Sequence, residues 1–190
     1  MALTPYSEKQ INKTMAYEFT KEDLQQIEKI KSRYPEVKPA TLPVLWIAQN
    51  RFGHVDPDVQ KLVAATLELP EAHVHGVATF YTQYYKEKKG KYVLDVCTCL
   101  SCQLCGGYDM LHYLEEKLEI KAGETSGDGM FTLNQVECLG ACGYAPMLQI
   151  TNDKYVNNLT REKIDELVDS LKKGEEPGYE KMEMPLRKNN

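Results

Sequence analysis

Six cysteines fall between positions 97 and 142, and the rest of the 190-residue chain has none. They stand as Cys97, Cys99, Cys102 and Cys105, then, after a gap, Cys138 and Cys142. Thiols in a reducing compartment do not staple a fold, so a block this dense points to metal binding or redox chemistry. One subset of four, Cys97, Cys102, Cys138 and Cys142, has the spacing C-x4-C-x35-C-x3-C. Two such pairs, on loops that follow different strands, can converge on one point, as a four-thiolate site requires. Tetrahedral sulfur sites hold zinc or an iron–sulfur cluster, and geometry alone does not separate the two.

The neighbours of the cysteines narrow the choice. Gly140 and Gly143 flank sulfurs in Cys138-Leu-Gly-Ala-Cys142-Gly143, where glycine permits a positive φ and a close approach of backbone N–H groups. An iron–sulfur cluster held by four thiolates is an anion whose charge grows on reduction, so amide donors aimed at sulfur stabilise it and tune its potential. Ala145-Pro146 leads straight into a candidate strand, and a cis bond is expected there. Zinc remains a competing reading, weakened by a gap much longer than the roughly 15–20 residues of a zinc ribbon. Dithiol redox chemistry is the third reading, because Cys99-x-x-Cys102 and Cys102-Gln-Leu-Cys105 are both CxxC and a helix start would lower a thiol pKa. That reading leaves Cys97, Cys138 and Cys142 without a role.

The elements that must position these thiols follow from periodicity. Leu24, Ile27, Ile30 and Tyr34 recur at helical spacing up to Pro35. A second helix over about 40–52 puts Leu45, Ala48 and Phe52 on one face, with Pro43 in its first turn and Gly53 after its end. Asp56-Pro57 opens a third, continued by Val59, Leu62, Val63 and Leu67, and Leu69-Pro70 restarts the chain into a fourth over 71–84. Short loops make these an antiparallel bundle. After the polar break Lys86–Gly90, Tyr92-Val93-Leu94-Asp95-Val96 reads as a strand ending at Cys97. Tyr108, Leu111, Leu114 and Leu118 restore the helical period. The loop Gly123–Gly129 follows, then strands over Phe131–Glu137 and Pro146–Thr151, a turn at Asn152-Asp153, and a helix capped by Thr160 with Ile164, Leu167, Val168 and Leu171 on one side. Strand, helix, strand, strand, helix fits a small α/β layer fold of thioredoxin-like type, with the cysteines at one end of the sheet. The domains read as an extension over 1–19, a helical bundle over 20–85, the α/β domain over 91–173 and a tail over 174–190.

Composition excludes several classes. Charged residues make up 27% and hydrophobic residues 42%, as in an ordinary globular protein. The net charge of -5 is uneven, with 12 Lys and Arg against 11 Asp and Glu in residues 1–90 and 11 against 17 thereafter, so no basic surface for nucleic acid is implied. Lys86, Lys88, Lys89 and Lys91 read as a solvated linker, and the charge run over 162–176 as a solvated helix face. No apolar run of about 18 residues occurs and the first twenty residues lack a secretory signal, so neither membrane insertion nor secretion is expected. Neither G-x-G-x-x-G nor a P-loop occurs, so the chain shows no dinucleotide site of its own. His54, His73, His75 and His112 lack a motif with a carboxylate partner and read as surface or packing residues. The aromatic stretch Val77-Ala-Thr-Phe-Tyr81 with Tyr84-Tyr85 reads as packing between the bundle and the α/β part.

At this point the residues resemble a known family. Cys97-Thr-x-x-Ser-Cys102 with Cys138-Leu-Gly-Ala-Cys142-x-x-Ala-Pro146, preceded by Val77-Ala-Thr-Phe-Tyr81, is similar to the thioredoxin-like 2Fe-2S subunit of respiratory NADH dehydrogenase (complex I). It also resembles the gamma subunits of NAD-linked and electron-bifurcating hydrogenases and formate dehydrogenases. The likeness runs over about residues 20–173, including Tyr155-Val-Asn-Asn-Leu-Thr160. It implies a thioredoxin-like 2Fe-2S ferredoxin domain preceded by a small helical bundle, one 2Fe-2S cluster, and ligands at Cys97, Cys102, Cys138 and Cys142. It further implies an electron-transfer subunit of an oxidoreductase, docked on a flavin/NADH-binding subunit that holds FMN and NADH, with further iron–sulfur subunits nearby and no catalytic residue of its own. Residence is then cytoplasmic, peripheral at the inner face of the membrane where the complex holds it there. Cys99 and Cys105 depart from the family pattern, as spare thiols or exchangeable ligands. The potential expected is low, near the roughly -400 mV of plant-type centres.

Overall fold

A computed structural model describes residues 17–178. Of the expected extension and tail, residues 1–16 and 179–190 lie outside the described residues. The described residues fall into two compact units, divided between Lys88 and Lys89.

The first unit is helical, with α1 at Lys21–Lys31, α2 at Thr41–Phe52, α3 at Pro57–Leu67 and α4 at Glu71–Phe80. Each start has a local cause. Thr20 caps α1 in a capping box with Asp23, and Asp56 caps α3 by accepting from the N–H groups of Asp58 and Val59, with Pro57 in the first turn. Gly53 ends α2 at φ 80°, the left-handed conformation that glycine adopts without strain. Ile27, Val44, Leu45, Ala48, Val59, Val63, Val74 and Tyr84 form the core. Leu24 and Tyr34 do not join it, being 43% and 39% exposed, because α1 stops at Lys31 and leaves Tyr34 off its face.

Helix α4 ends at Phe80 rather than at residue 84. The cause is tertiary: Gln49 donates from Nε2 to the Gln83 carbonyl and accepts from the Tyr85 N–H, and the Tyr84 hydroxyl donates to the Leu42 carbonyl at 2.8 Å. These bonds turn the chain inward, place Tyr84 in the core of the helical unit, and leave Phe80 77% exposed.

The second unit is a four-stranded sheet of order β2-β1-β3-β4, with β1 Tyr92–Cys97, β2 Phe131–Val136, β3 Leu148–Ile150 and β4 Lys154–Val156. β2 lies parallel to β1, β3 antiparallel to β1, and β4 antiparallel to β3. A parallel pair needs a crossover, here α5 (Leu100–Leu104) and α6 (Gly107–Leu118). The last helix, α7 (Arg161–Lys172), is capped by Thr160. Alternate residues Tyr92, Leu94 and Val96 pack with Leu111 and Leu114 of α6 and with Ile164, Leu167, Val168 and Leu171 of α7. This is the thioredoxin-like layer expected, with two additions: the single-turn helix α5 and the edge strand β4.

Candidate metal centre

The parallel register places Cys97, the last residue of β1, opposite Val136, the last of β2. Both following segments therefore leave the sheet at the same end, and cysteines with 35 residues between them in sequence meet there. The Thr98 N–H donates to the Val136 carbonyl and the Cys97 N–H to the Met147 carbonyl, both at 3.1 Å, which ties the two segments together. The Tyr155 hydroxyl, from β4, donates to the Leu139 carbonyl at 2.7 Å and holds the second segment down. The peptide bond between Ala145 and Pro146 is cis.

Cys97, Cys102, Ala141 and Met147 form a small buried nucleus, with Cys99, Leu139, Tyr144, Ala145 and Tyr155 packed against it. Cys97 and Cys102 are each 2% exposed, while Cys138 and Cys142 face solvent with their sulfurs 3.5 Å apart. The Gly140 N–H donates to the Cys138 sulfur at 3.4 Å, and Gly140 sits at φ 81°, as a glycine beside the sulfurs should. Gly143 does not share this conformation: it lies in the middle of a turn of 3-10 helix over Cys142–Tyr144.

The thiols sense one another. Burial, then a hydrogen bond with Cys97 and the Cys97 charge, pushes the Cys102 thiol up to about 12, and Cys142 adds to that push. Cys138 is held below the ordinary thiol range, first by the Gly140 N–H and then by the Cys142 thiol, and Cys142 is raised in turn because it shares its proton with Cys138. Such a set cannot be fully deprotonated without a cation to hold the charge, and bound metal would displace those protons.

Among the described residues no group of three His, Cys, Asp or Glu side chains converges tightly enough to hold a single ion. Structural zinc asks for four ligands around one metal, whereas a [2Fe-2S] cluster asks for two thiolates at each of two irons. Two close pairs, one buried and one exposed, fit the second demand. The dithiol reading fits less well, since the attacking thiol of such a pair needs a lowered pKa and Cys102 is pushed the other way. Cys105 is exposed at the end of α5, outside the buried nucleus.

One residue of the site is silent in the sequence. Gly107 starts α6, and a Cβ there would lie 2.9 Å from the Cys102 carbonyl oxygen and 3.0 Å from that of Cys97. Only a glycine lets the helix approach both backbones this closely. Nothing in the sequence marks Gly107 as a packing contact.

The histidines take surface or packing roles, His75 and His112 being exposed, with one correction. His73 bonds Thr41 and His75 bonds Gln60, but His54 does have a carboxylate partner, Asp56 at 3.3 Å, with the Tyr17 hydroxyl completing the contact.

A thioredoxin-type sheet with two thiol pairs at one end fits an iron–sulfur protein of the ferredoxin class. The chain belongs to the thioredoxin-like [2Fe-2S] ferredoxin family, whose model matches residues 27–172. Among its relatives, a subunit of the NADH-quinone oxidoreductase of Rhizobium meliloti is 42% identical over 151 residues, covering 80% of this chain and 89% of the relative. Subunit 2 of the NADH-quinone oxidoreductase of Thermus thermophilus is 35% identical over 161 residues, 84% and 88% of the two chains. The air-oxidised crystal structure of an NAD+-reducing [NiFe]-hydrogenase superposes with a TM-score of 0.59 at 18% identity, over 68% of this chain and 23% of that one, a likeness of fold alone. Among the described residues no helix is long and apolar enough to cross a membrane.

Proposed function

We propose that this chain is the electron-transfer subunit of an NADH-quinone oxidoreductase, holding one [2Fe-2S] cluster on Cys97, Cys102, Cys138 and Cys142. The observation that carries the ligand set is the convergence of two thiol pairs at one end of the sheet, with the 3.5 Å Cys138–Cys142 contact and the buried Cys97 and Cys102 behind it. The parent complex is read from the NADH-quinone oxidoreductase subunits that this chain matches over nearly their full length. A hydrogenase subunit ranks second, since that likeness rests on fold alone.

When bound, the cluster takes up and gives back one electron. The chain's own part is to orient four sulfurs, shield two of them from water, and leave the Cys138/Cys142 side open toward a partner. That partner is the flavin/NADH-binding subunit, which holds FMN and NADH, with further iron–sulfur subunits beyond it. Residence in this reading is cytoplasmic, peripheral to the membrane through the complex.

The test is iron, zinc and acid-labile sulfide per chain on anaerobically purified protein, with a visible spectrum before and after dithionite. About two irons and two sulfides and a band that bleaches are expected. Replacing any of Cys97, Cys102, Cys138 or Cys142 by Ala should abolish both, and Cys105→Ser should leave both in place. One zinc without sulfide would overturn the reading.

A further inference from the structure

Resting on that ligand set, we propose that Tyr155 is a positioning residue for the cluster. Its hydroxyl holds the Leu139–Gly140 peptide so that the Gly140 N–H faces the Cys138 sulfur, and it thereby makes the cluster easier to reduce.

Two hydrogen bonds meet on one peptide unit. The Tyr155 hydroxyl donates to the Leu139 carbonyl at 2.7 Å, and the Gly140 N–H donates to the Cys138 sulfur at 3.4 Å. That carbonyl and that N–H belong to the same planar group, and in a trans peptide they point in opposite directions. Fixing the oxygen toward Tyr155 therefore fixes the N–H toward Cys138. A donor on the carbonyl also polarises the peptide and strengthens its N–H.

The backbone makes such a hold necessary. Gly140 stands at φ 81°, and a half-turn of the peptide plane takes it to a negative φ, which glycine accepts equally well. The turned peptide would present an oxygen to the sulfur in place of the N–H. Tyr155 opposes that turn from a firm position. It lies on β4 opposite Gln149 of β3, and it packs against the nucleus of Cys97, Cys102, Ala141 and Met147. Just beyond β4 the Asn158 N–H donates to the Tyr144 carbonyl at 2.9 Å and the Leu159 N–H to the Pro146 carbonyl at 2.8 Å, which fastens the far end of the cysteine loop to the same segment. The three-residue strand β4 thus carries the hydroxyl to the loop. The reduced cluster is one charge more negative than the oxidised one, so a donor aimed at ligand sulfur favours it and loss of that donor lowers the potential.

The experiment is an EPR-monitored redox titration, with iron content, of the full chain as wild type, Tyr155→Phe, Gly140→Ala and the double variant. Tyr155→Phe keeps the ring and removes only the hydroxyl. A Cβ at Gly140 meets nothing within 4 Å, so Gly140→Ala acts through the positive φ alone. Both single variants should keep their iron and titrate at lower potential. Each should disfavour the reduced cluster by up to about tenfold, equivalent to about 59 mV for one electron. Because both act on one peptide, the double variant should fall no further than the larger single shift. An unmoved potential in Tyr155→Phe overturns the proposal, and so do additive shifts, which would mean that the two residues act on separate bonds. Iron lost from Tyr155→Phe also overturns it, because the hydroxyl would then hold the loop together and not aim its amide. A wild-type chain with no [2Fe-2S] signal would overturn the cluster reading itself, and that measurement precedes any variant.

Discussion

Gly107 rests against the backbone of Cys102 so closely that a Cβ would come within 2.9 Å of the Cys102 carbonyl oxygen. Backbone atoms cannot swing aside as a flexible side chain can, so either α6 or the cysteine segment must shift to admit a methyl group. Overpacking of this kind costs about 1–3 kcal/mol. Gly107→Ala should therefore lower the unfolding midpoint and release iron faster on challenge with a chelator. Gly127→Ala, in the loop before β2 with open space around its Cβ, is the control. Equal iron-release rates in the two variants would show that the close approach does not hold the site.

Much of this architecture can be read from residue order, and the exceptions share a cause. Helix α7 is announced by Thr160 and by Ile164, Leu167, Val168 and Leu171, all buried as their spacing requires. Long periodic runs declare themselves because one face must go inside. Helix α5 and strand β4, of five and three residues, are too short to show a period, and sheet pairing and the crossover fix them instead. The end of α4 was equally invisible, being set by Gln49 from 34 residues earlier. At the site, the cysteine spacing already proposes four sulfurs, while the close approach of Gly107 to the Cys97 and Cys102 carbonyls arises only when the crossover folds back on β1.

Removing the cluster should loosen the site and spare the sheet. The core of the second unit, built on Leu94, Leu114, Leu133, Leu148, Ile164 and Leu171, contains no cysteine, while the nucleus at the end of the sheet is small and largely made of thiols and Met147. Hydrogen exchange on the iron-free chain should show retained protection in β1, β2 and α7 and lost protection over 137–145. Collapse of protection throughout the second unit would mean that the metal, and not the apolar core, holds this fold.

The surface beside the exposed sulfurs suits a protein partner. Leu100 and Leu104 stand four apart on α5, 67% and 79% exposed. Neither 96–108 nor 138–152 contains a single Asp, Glu, Lys or Arg, in a chain where such residues make up 27%. Loss of charge and gain of apolar area mark the centre of an interface. Leu100→Glu with Leu104→Glu should weaken co-purification with the flavin/NADH-binding subunit by about tenfold or more, as burying a charge at an interface centre does, with iron content unchanged. Undiminished co-purification would place the docking face elsewhere.

In the helical unit, Asp56 ties helix capping to pH. Burial pushes its carboxyl up, but the Val59 N–H, then the bond and charge of His54, outweigh that effect and hold it below the ordinary carboxylate range. A depressed folded-state pKa contributes stability that is present above the unfolded value near 4 and is lost as pH falls through the folded one. Asp56→Ala should therefore cost about 1 kcal/mol at pH 7, a typical N-cap loss, with the difference from wild type shrinking as the medium is acidified below the carboxylate range. Trp46, the only tryptophan, sits in α2 of the same unit, so its fluorescence during urea unfolding of iron-free protein reports this unit without interference from acid loss of iron. A gap between the two proteins that stays constant from pH 7 down to about pH 3 would mean that the ionised form of Asp56 contributes nothing beyond its shape.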